Sequence, residues 1–493
     1  MTNAPALFRS LLVYGICLPL AVILGYLLAT PQDLNTVGSL VVVLSALAIP
    51  VLLRWHHVWL IAAWNSTAML FLIPGKPSIW MLLAVISLVI SILQYAVNRN
   101  MKFLSAPTVA LPLFLLIAVI VITAQVTGGH FGLLQARVFG GDTYGAKRYF
   151  VMLAAAMGYF AIISRPIPPK RAGLYVALFF IGAGTAAIAN LPGVINPAFN
   201  FLFLFFPVAD TAAFNQNSVV GPMGPTVRFF GVSGLGVAIY CLMLVRYGIR
   251  GLLDASKPWR LGLFCLSIPL SMMGGFRSTT ILLLLTFTLL FFIEGLHRTR
   301  LVVPAFLSIV AAGSLLFLFA GRLPIAVQRS LAFLPMIPID PLVRYDTEGS
   351  TQWRLEMWRD VLPEIPRYLL MGKGYSFSGN EQYNMRNGLE AVELVGDYHN
   401  GPLSVIIPFG IFGSMAFVWL LIAGIRVLHQ NYQFGDPAYR HINVFLVSYF
   451  VAKVIFFFTI FGSLHSDLPL FLGLLGLSIS LNGGVAKPAA VST

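Results

Sequence analysis

The chain is poor in charged side chains, which make up only 10% of its 493 residues. Soluble globular proteins carry about 25%, so this scarcity excludes a chain that folds entirely in water. Negatively charged residues are rarer than positively charged ones: the chain has 17 aspartates and glutamates and 31 lysines and arginines. The three cysteines, Cys17, Cys241 and Cys265, all fall inside apolar runs. They are therefore predicted to be small core residues rather than a disulfide framework or a metal site.

The sequence motifs of several enzyme classes are also missing. The chain has no phosphate-binding loop, no zinc-ligand spacing, no nucleophile elbow and no paired-cysteine motif. Ten carboxylates lie between residues 321 and 400, but none of them shows the spacing of metal ligands. No metal and no cofactor are therefore predicted.

Long apolar runs dominate the rest of the sequence. Hydrophobic residues make up 58% of the chain, and the mean hydropathy is +0.87. The runs are continuous rather than alternating, which predicts membrane helices and not a barrel. The predicted fold class is all-α: a polytopic membrane helix bundle of about 14 transmembrane helices with one long, partly helical periplasmic loop. The predicted spans are 10–30, 37–53, 58–73, 78–96, 107–126, 147–164, 172–190, 229–246, 260–275, 278–294, 302–320, 400–426, 441–462 and 467–482.

Lysines and arginines are distributed unevenly over the predicted loops. With the N-terminus inside, 16 fall in inside segments and 6 in outside segments other than the long loop, 321–399, whereas 14 of the 17 acidic residues are outside. The positive-inside rule then predicts cytoplasmic termini and a periplasmic long loop. The net charge of +14 belongs mainly to the cytoplasmic rim, so no nucleic-acid partner is predicted. The segment 261–275 is short for a span, which leaves a re-entrant segment as the alternative.

Two arginines, Arg228 and Arg277, stand at the outer ends of predicted spans, at the depth of lipid headgroups. Arginine keeps its charge and binds phosphate through two parallel hydrogen bonds. The pair therefore predicts a site for a pyrophosphate-bearing lipid beside an outer cavity. The alternative is that each side chain simply extends to the headgroups around it.

The segment 351–362 of the long loop is amphipathic. Trp353, Met357 and Val361 recur at a spacing of four, which predicts a helix lying at the membrane interface with the tryptophan towards lipid. Arg354 is not on that face and is predicted to reach the cavity. The alternative is a solvated charged face.

His399 ends the long loop, just before a predicted span. A histidine titrates near neutral pH and can act there as a general base, and Asp397, two residues away, would orient it. The alternative is a structural residue beside a helix N-terminus. Lys453 falls inside a predicted span and is expected to face the bundle, either as a structural residue or as part of a pathway.

The stretch from His399 to Gly413 resembles the signature of bacterial O-antigen ligases. That pattern is His, then Asn, Ser or Gln, nine residues, Gly, two residues, and Gly, Thr or Tyr. The chain matches it at His399, Asn400, Gly410 and Gly413, and the glycines are expected to allow close helix packing. The resemblance covers roughly residues 225–430. Three other features agree with the family. An outward arginine, Arg228, precedes a Gly-containing span, and an Arg-Ser pair stands at Arg277 and Ser278. An Arg-x-x-x-Trp helix leads to Pro and Gly-x-Gly, at Arg354, Trp358, Pro366, Gly372 and Gly374.

This resemblance implies a membrane glycosyltransferase of the superfamily that contains O-antigen ligases and the polymerases of O-antigen and exopolysaccharide, similar to GT-C enzymes. The donor would be an undecaprenyl-pyrophosphate-linked glycan, and the acceptor a saccharide or lipid-core hydroxyl, in lipopolysaccharide or exopolysaccharide biosynthesis at the periplasmic face of the bacterial inner membrane. Arg228 and Arg277 would hold the pyrophosphate, and Arg354 would close over the donor. His399 would position or deprotonate the acceptor hydroxyl, oriented by Asp397 or Asn400, with inversion at the anomeric carbon.

The resemblance divides the chain into N-terminal transmembrane helices (1–225), a ligase-like core (226–430) that includes the loop 321–399, and C-terminal helices (431–493). A polymerase using the same donor is one alternative, which the number of spans favours, whereas the His-Asn signature favours a ligase. A polysaccharide-lipid flippase or transporter is the other. Transporters usually carry internal repeats and broken midplane helices, whereas the polar residues here concentrate in an external loop.

Overall fold

The computed structural model describes residues 34–71, 73, 75–98, 103–127, 146–206, 228–375 and 398–488, with scattered positions between 14 and 29. Within these residues the protein is helical, and its only extended pairing is an isolated bridge between Met69 and Ser78. The all-α class is therefore confirmed for the described part of the chain.

The α-helices follow one another in this order: α1 (Leu34–Ala63), α2 (Ile79–Val97), α3 (Pro107–Val126), α4 (Ala146–Ile162), α5 (Ala172–Ile181), α6 (Leu191–Val194), α7 (Phe230–Leu252), α8 (Trp259–Met272), α9 (Arg277–Ile293), α10 (Val302–Phe319), α11 (Ile325–Leu331), α12 (Pro341–Val361), α13 (Ile365–Tyr368), α14 (Gly401–Phe434), α15 (Arg440–Thr459) and α16 (Leu464–Leu481). Short 3₁₀ segments join several of them: Pro169–Arg171, Gly182–Asn190, Pro197–Leu204, Leu296–Arg298, Ala320–Arg322, Leu362–Glu364 and Pro437–Tyr439.

Seven helical segments of the described residues are long and apolar enough to cross a membrane. The protein is therefore a multi-pass membrane protein, with support for seven spans of the about 14 predicted. The seven are Ile79–Val97, Pro107–Val126, Pro169–Asn190, Phe230–Leu252, Gly401–Phe434, Pro437–Thr459 and Leu464–Leu481. Helices α8 and α9 are apolar but shorter. The separate span predicted at 58–73 is not seen, because α1 runs on to Ala63 and the described residues from 64 to 73 are not helical.

By compactness the chain divides into residues 1–59 and residues 60–493. The second unit contains every candidate site residue that the structure describes. The predicted domain boundaries near residues 225 and 430 follow the resemblance rather than compactness, and they stay a prediction.

Phenylalanines fill the core between α14, α15 and α16. Phe417 contacts Phe457 and Phe471 with ring centroids 5.2 and 6.0 Å apart, and Phe450 contacts Phe471 at 5.2 Å. Each such pair contributes about 0.5–1.5 kcal/mol beyond burial alone. These contacts join the middle of α14 to α15 and α16.

Helix α14 begins and breaks for local reasons. The Asn400 side chain accepts a hydrogen bond from the Leu403 backbone N–H at 3.1 Å, and Pro402 follows in the first turn, a pairing that favours a helix start. The helix breaks at Gly410, whose φ is +62°. A Cβ there would lie 2.6 Å from the Leu369 carbonyl oxygen, so only glycine fits.

The Gly-x-Gly segment fills this break. Lys373 and Gly374 donate their backbone N–H groups to the carbonyls of Ile407 and Pro408 at 2.8 and 2.9 Å. A Cβ on Gly372 would lie 2.1 Å from the Pro408 oxygen. The close approach expected at the signature glycines is therefore present, but at the break the partner is this loop rather than another helix. The loop satisfies backbone groups that lipid could not.

A buried ion pair links α15 and α16. The Lys453 Nζ lies 2.9 Å from the Asp467 Oδ1, and both side chains are about one-tenth exposed. The other carboxylate oxygen accepts a hydrogen bond from the Ser463 N–H at 2.9 Å. Lys453 therefore faces the bundle, as predicted, and its partner ties it to the start of α16.

Replacing Lys453 or Asp467 by alanine is expected to lower the free energy of unfolding by about 3–5 kcal/mol, because the remaining charge stays buried without its partner. The double replacement Lys453→Met with Asp467→Leu should recover most of this loss. Thermal unfolding of the purified variants in detergent measures both effects. Single variants as stable as the wild type would show that the pair contributes little.

Candidate functional site

Arg228 and Arg329 meet at the turn between α8 and α9. A Cβ built on Gly275 would lie 3.3 Å from the Arg329 Cδ and 3.6 Å from the Arg228 Cδ. Gly275 has a φ of +69°, a conformation that glycine adopts without strain. The turn thus brings together an arginine that precedes α7 and an arginine from the short helix α11.

Arg277 and Arg354 reach the same region from α9 and α12. The Arg277 Nη2 donates to the Thr351 Oγ1 at 3.1 Å, one turn before Arg354 on α12. The Arg354 Nε is buried and has no hydrogen-bond partner among the described residues. A buried charge-bearing donor without a partner is costly, and an anionic ligand would remove that cost.

These four side chains, Arg228, Arg277, Arg329 and Arg354, form what we name the arginine cluster. Burial first, and then the positive charges of the other three members, lower the pKa of Arg329 to about 10. Burial also lowers the pKa of Arg228, and burial and then Arg277 lower the pKa of Arg354. All four remain protonated at neutral pH. The cluster therefore concentrates positive charge in one region of the described structure, where it favours binding of an anion.

A carboxylate and a helix N-terminus change the charge of the arginine cluster in opposite directions. The Arg329 Nη1 contacts the Asp346 carboxylate of α12. Helix α9 begins at Arg277 without a side-chain N-cap, so the N–H groups of its first turn add partial positive charge at that end. Chemically, the arrangement suits a multiply charged anion such as a diphosphate.

His399 lies between two aromatic rings. Its ring centroid is 5.6 Å from that of Trp353 on α12 and 5.4 Å from that of Phe461, in the turn between α15 and α16. Its φ of +47° is unusual for a residue with a side chain and costs about 1–3 kcal/mol. Trp353 is adjacent in sequence to Arg354, so one turn of α12 contacts the histidine and contributes to the arginine cluster.

The apolar face of α12 packs on protein, so the prediction that it faces lipid was wrong. Met357 and Val361 are buried against Tyr398, Leu403 and Ile407 at the start of α14. The Trp358 Nε1 donates to the Tyr398 carbonyl at 2.8 Å. The start of α14 supplies an apolar surface that this face covers, and Trp353 contacts His399 instead of lipid.

The structure thus brings Arg228, Arg277 and Arg354 together, and it places His399 beside the helix that carries Arg354. The Asn400 side chain caps α14. The substrate-binding role predicted for it is not tested by this contact and stays a prediction. Asp397 lies outside the described residues. Sequence reasoning missed Arg329, which stood among eight basic residues of the long loop. Its segment, Ile325–Leu331, is otherwise free of charge, and that was the only available signal.

The turn glycine offers a test of the arginine geometry. Replacing Gly275 by alanine is expected to weaken binding of inorganic pyrophosphate by about tenfold or more, because strain of about 1–2 kcal/mol and the new Cβ displace Arg228 and Arg329. Gly295→Ala is the matched control, since Gly295 has a φ of +72° but no neighbour within 4 Å of the added Cβ. Calorimetry in detergent measures the affinities, and equal pyrophosphate affinities in the two variants would contradict the geometry.

Comparison with known proteins supports one family. A protein-family model described as O-Antigen ligase matches residues 262–418, about a third of the chain. These residues thus form a domain of the O-antigen ligase kind, which confirms the resemblance to the O-antigen ligase and polymerase superfamily. The match contains Arg277, Arg329, Arg354 and His399, whereas Arg228 precedes it. No curated protein matches the chain.

Proposed function

We propose that the protein transfers a glycan from an undecaprenyl-pyrophosphate carrier to an acceptor hydroxyl at the periplasmic face of the bacterial inner membrane. The observation that carries the proposal is the arginine cluster beside a strained histidine. Its four arginines are half-buried, and the Arg354 Nε has no hydrogen-bond partner among the described residues. Within an O-antigen ligase domain, these groups match the two needs of such a transfer, a charge-stabilised leaving group and a base for the acceptor.

The reaction can be written from these residues. The acceptor oxygen attacks the anomeric carbon from the face opposite the pyrophosphate, and its proton passes to His399. The bond between the anomeric carbon and the phosphate oxygen breaks, and the lipid pyrophosphate leaves with the electron pair. The arginine cluster stabilises the negative charge that grows on that oxygen. Such electrostatic stabilisation is usually the largest single contribution to lowering the barrier. Inversion follows from the single displacement.

Aromatic neighbours hold the histidine in place. Trp353 and Phe461 contact its ring, and the capped start of α14 fixes the backbone that follows it. An aromatic enclosure also excludes water from the attacking hydroxyl. Asp397 remains a proposed orienting residue.

The alternative function is transport of a polysaccharide lipid, and two helix breaks are relevant to it. Transporters use the exposed ends of broken helices to hold substrates or ions. At Gly410 the 373–374 loop fills the break. At Gly248, in α7, the Glu294 carboxylate accepts from the Ile249 N–H at 3.1 Å. Both breaks are thus occupied by the protein itself, which favours a role in packing over transport.

Transfer is tested with purified protein in lipid vesicles that contain a polyprenyl-pyrophosphate glycan and a soluble sugar acceptor. We expect glycosylated acceptor and released polyprenyl pyrophosphate in equal amounts. Single additions would indicate ligation, and a ladder of products would indicate polymerisation. Labelled donor that crosses the bilayer without forming product would refute the transferase and support a flippase.

A further inference from the structure

Arg329 is held firmly by the helix that carries it. In α11, the Ser330 Oγ donates to the Met272 carbonyl at 2.8 Å, which fixes the helix to the end of α8. The Gln328 side chain donates to the Leu323 carbonyl and accepts from the Asp340 N–H, both at 2.8 Å. These bonds tie α11 to the segments before and after it. The Arg329 guanidinium therefore has a fixed place in the arginine cluster.

Its counter-ion is much less constrained. The Arg329 side chain is 12% exposed, whereas the Asp346 side chain that contacts it is 38% exposed. Asp346 lies in the N-terminal half of α12, where a change of rotamer would carry its carboxylate into water. The arginine cannot follow, because it packs over Gly275 beside Arg228. The pair can therefore separate by movement of the aspartate alone.

An incoming diphosphate would compete well for this arginine. A carboxylate offers one negative charge and two oxygens to Arg329, whereas a diphosphate carries at least two charges and can bind several members of the arginine cluster at once. Like charges in the cluster favour the ligand with the greater negative charge. Arginine binds phosphate with the same two-pronged geometry as carboxylate, so the exchange needs no rearrangement of the guanidinium.

We propose that Asp346 is a built-in counter-ion that occupies Arg329 in the donor-free protein and yields it to the diphosphate of the donor. The inference rests on the proposed function and deepens it: Arg329 becomes a fourth ligand of the diphosphate, and Asp346 a positioning residue that regulates its availability. When the reaction ends, the returning carboxylate competes with the lipid pyrophosphate and promotes its release. Asp346 therefore weakens donor binding but keeps turnover fast.

The test measures binding of inorganic pyrophosphate to the full-length protein in detergent by calorimetry. Asp346→Asn is expected to bind about tenfold more tightly than the wild type, because Arg329 no longer has a charged competitor. Glu356→Gln is the matched control. It removes one negative charge from the same helix at an exposed site, where Glu356 accepts a hydrogen bond from Gln352 one turn earlier. The affinity of this variant should stay within about twofold of wild type. Adding Arg329→Gln to Asp346→Asn should abolish the gain.

Three results would overturn the inference: unchanged or weaker binding in Asp346→Asn, an equal gain in Glu356→Gln, or a gain that persists without Arg329. Asp346→Ser serves as a second variant should the asparagine variant fail to fold. In the vesicle transfer reaction, Asp346→Asn should lower both the donor KM and kcat, a combination that general loosening of the fold would not produce. Tighter pyrophosphate binding without any glycan transfer would refute the proposed function alone. Normal transfer without tighter binding would refute the inference alone.

Discussion

Replacement of His399 by alanine is expected to lower kcat for glycan transfer by about 10²–10⁴-fold, the usual contribution of a general base. The donor KM should change little, because the arginine cluster that binds the pyrophosphate is intact. The measurement is initial rate against donor concentration in reconstituted vesicles, with unfolding temperature as the check on folding.

The unusual backbone of His399 calls for two companion variants. Its φ of +47° is tolerated by asparagine and adopted freely by glycine, so His399→Asn and His399→Gly remove the base without adding strain. All three variants should lose activity alike, and added imidazole should restore part of the rate in His399→Gly. A near-normal kcat in His399→Asn would show that the backbone, and not the imidazole, is what the position requires.

Replacement of Arg277 by alanine is expected to lower kcat/KM by about 10²–10³-fold, the cost of removing one donor that stabilises charge in the transition state. Arg277→Lys should recover only a small part, because an ammonium group cannot form the two parallel bonds of a guanidinium. Loss of the bond to Thr351 contributes little, since that threonine is exposed.

Arg359 supplies the matched control for Arg277. It is an exposed arginine near the end of α12 and outside the arginine cluster. Arg359→Ala should therefore keep kcat/KM within about twofold of wild type, as exposed charges contribute little. Equal losses in the two variants would mean that overall positive charge, rather than the arginine cluster, drives the reaction.

The sequence was sufficient to predict the all-α fold class and three of the four arginines that the structure groups together. Continuous apolar runs predict helices because lipid leaves few other choices, and arginines at the outer ends of spans stand out against so few charges. Arg228 and Arg277 were identified on that basis, and Arg354 was identified because it lies off the tryptophan face of the amphipathic segment 351–362. Their grouping could be predicted because all three are arginines, which bind phosphate, and all three are predicted to lie on the outer side of the membrane.

Other features depend on tertiary contacts that no local pattern shows. Arg329 joins the cluster because Ser330 and Gln328 dock α11 in place. Lys453 and Asp467 pair because α15 and α16 run side by side. The prediction of a separate span at 58–73 was wrong because apolar composition does not mark where a helix ends. The apolar face of α12 was assigned to lipid because a sequence cannot tell a lipid surface from a protein surface of equal polarity.

Binding of the donor at the arginine cluster is tested most directly by electron cryomicroscopy of the protein with a donor analogue whose anomeric oxygen is replaced by carbon. The expected result is diphosphate density in contact with the four members of the arginine cluster, with the first sugar facing His399 and Asp346 turned to solvent. Diphosphate density elsewhere on the protein, with the Arg329–Asp346 pair intact, would contradict the assignment of this site.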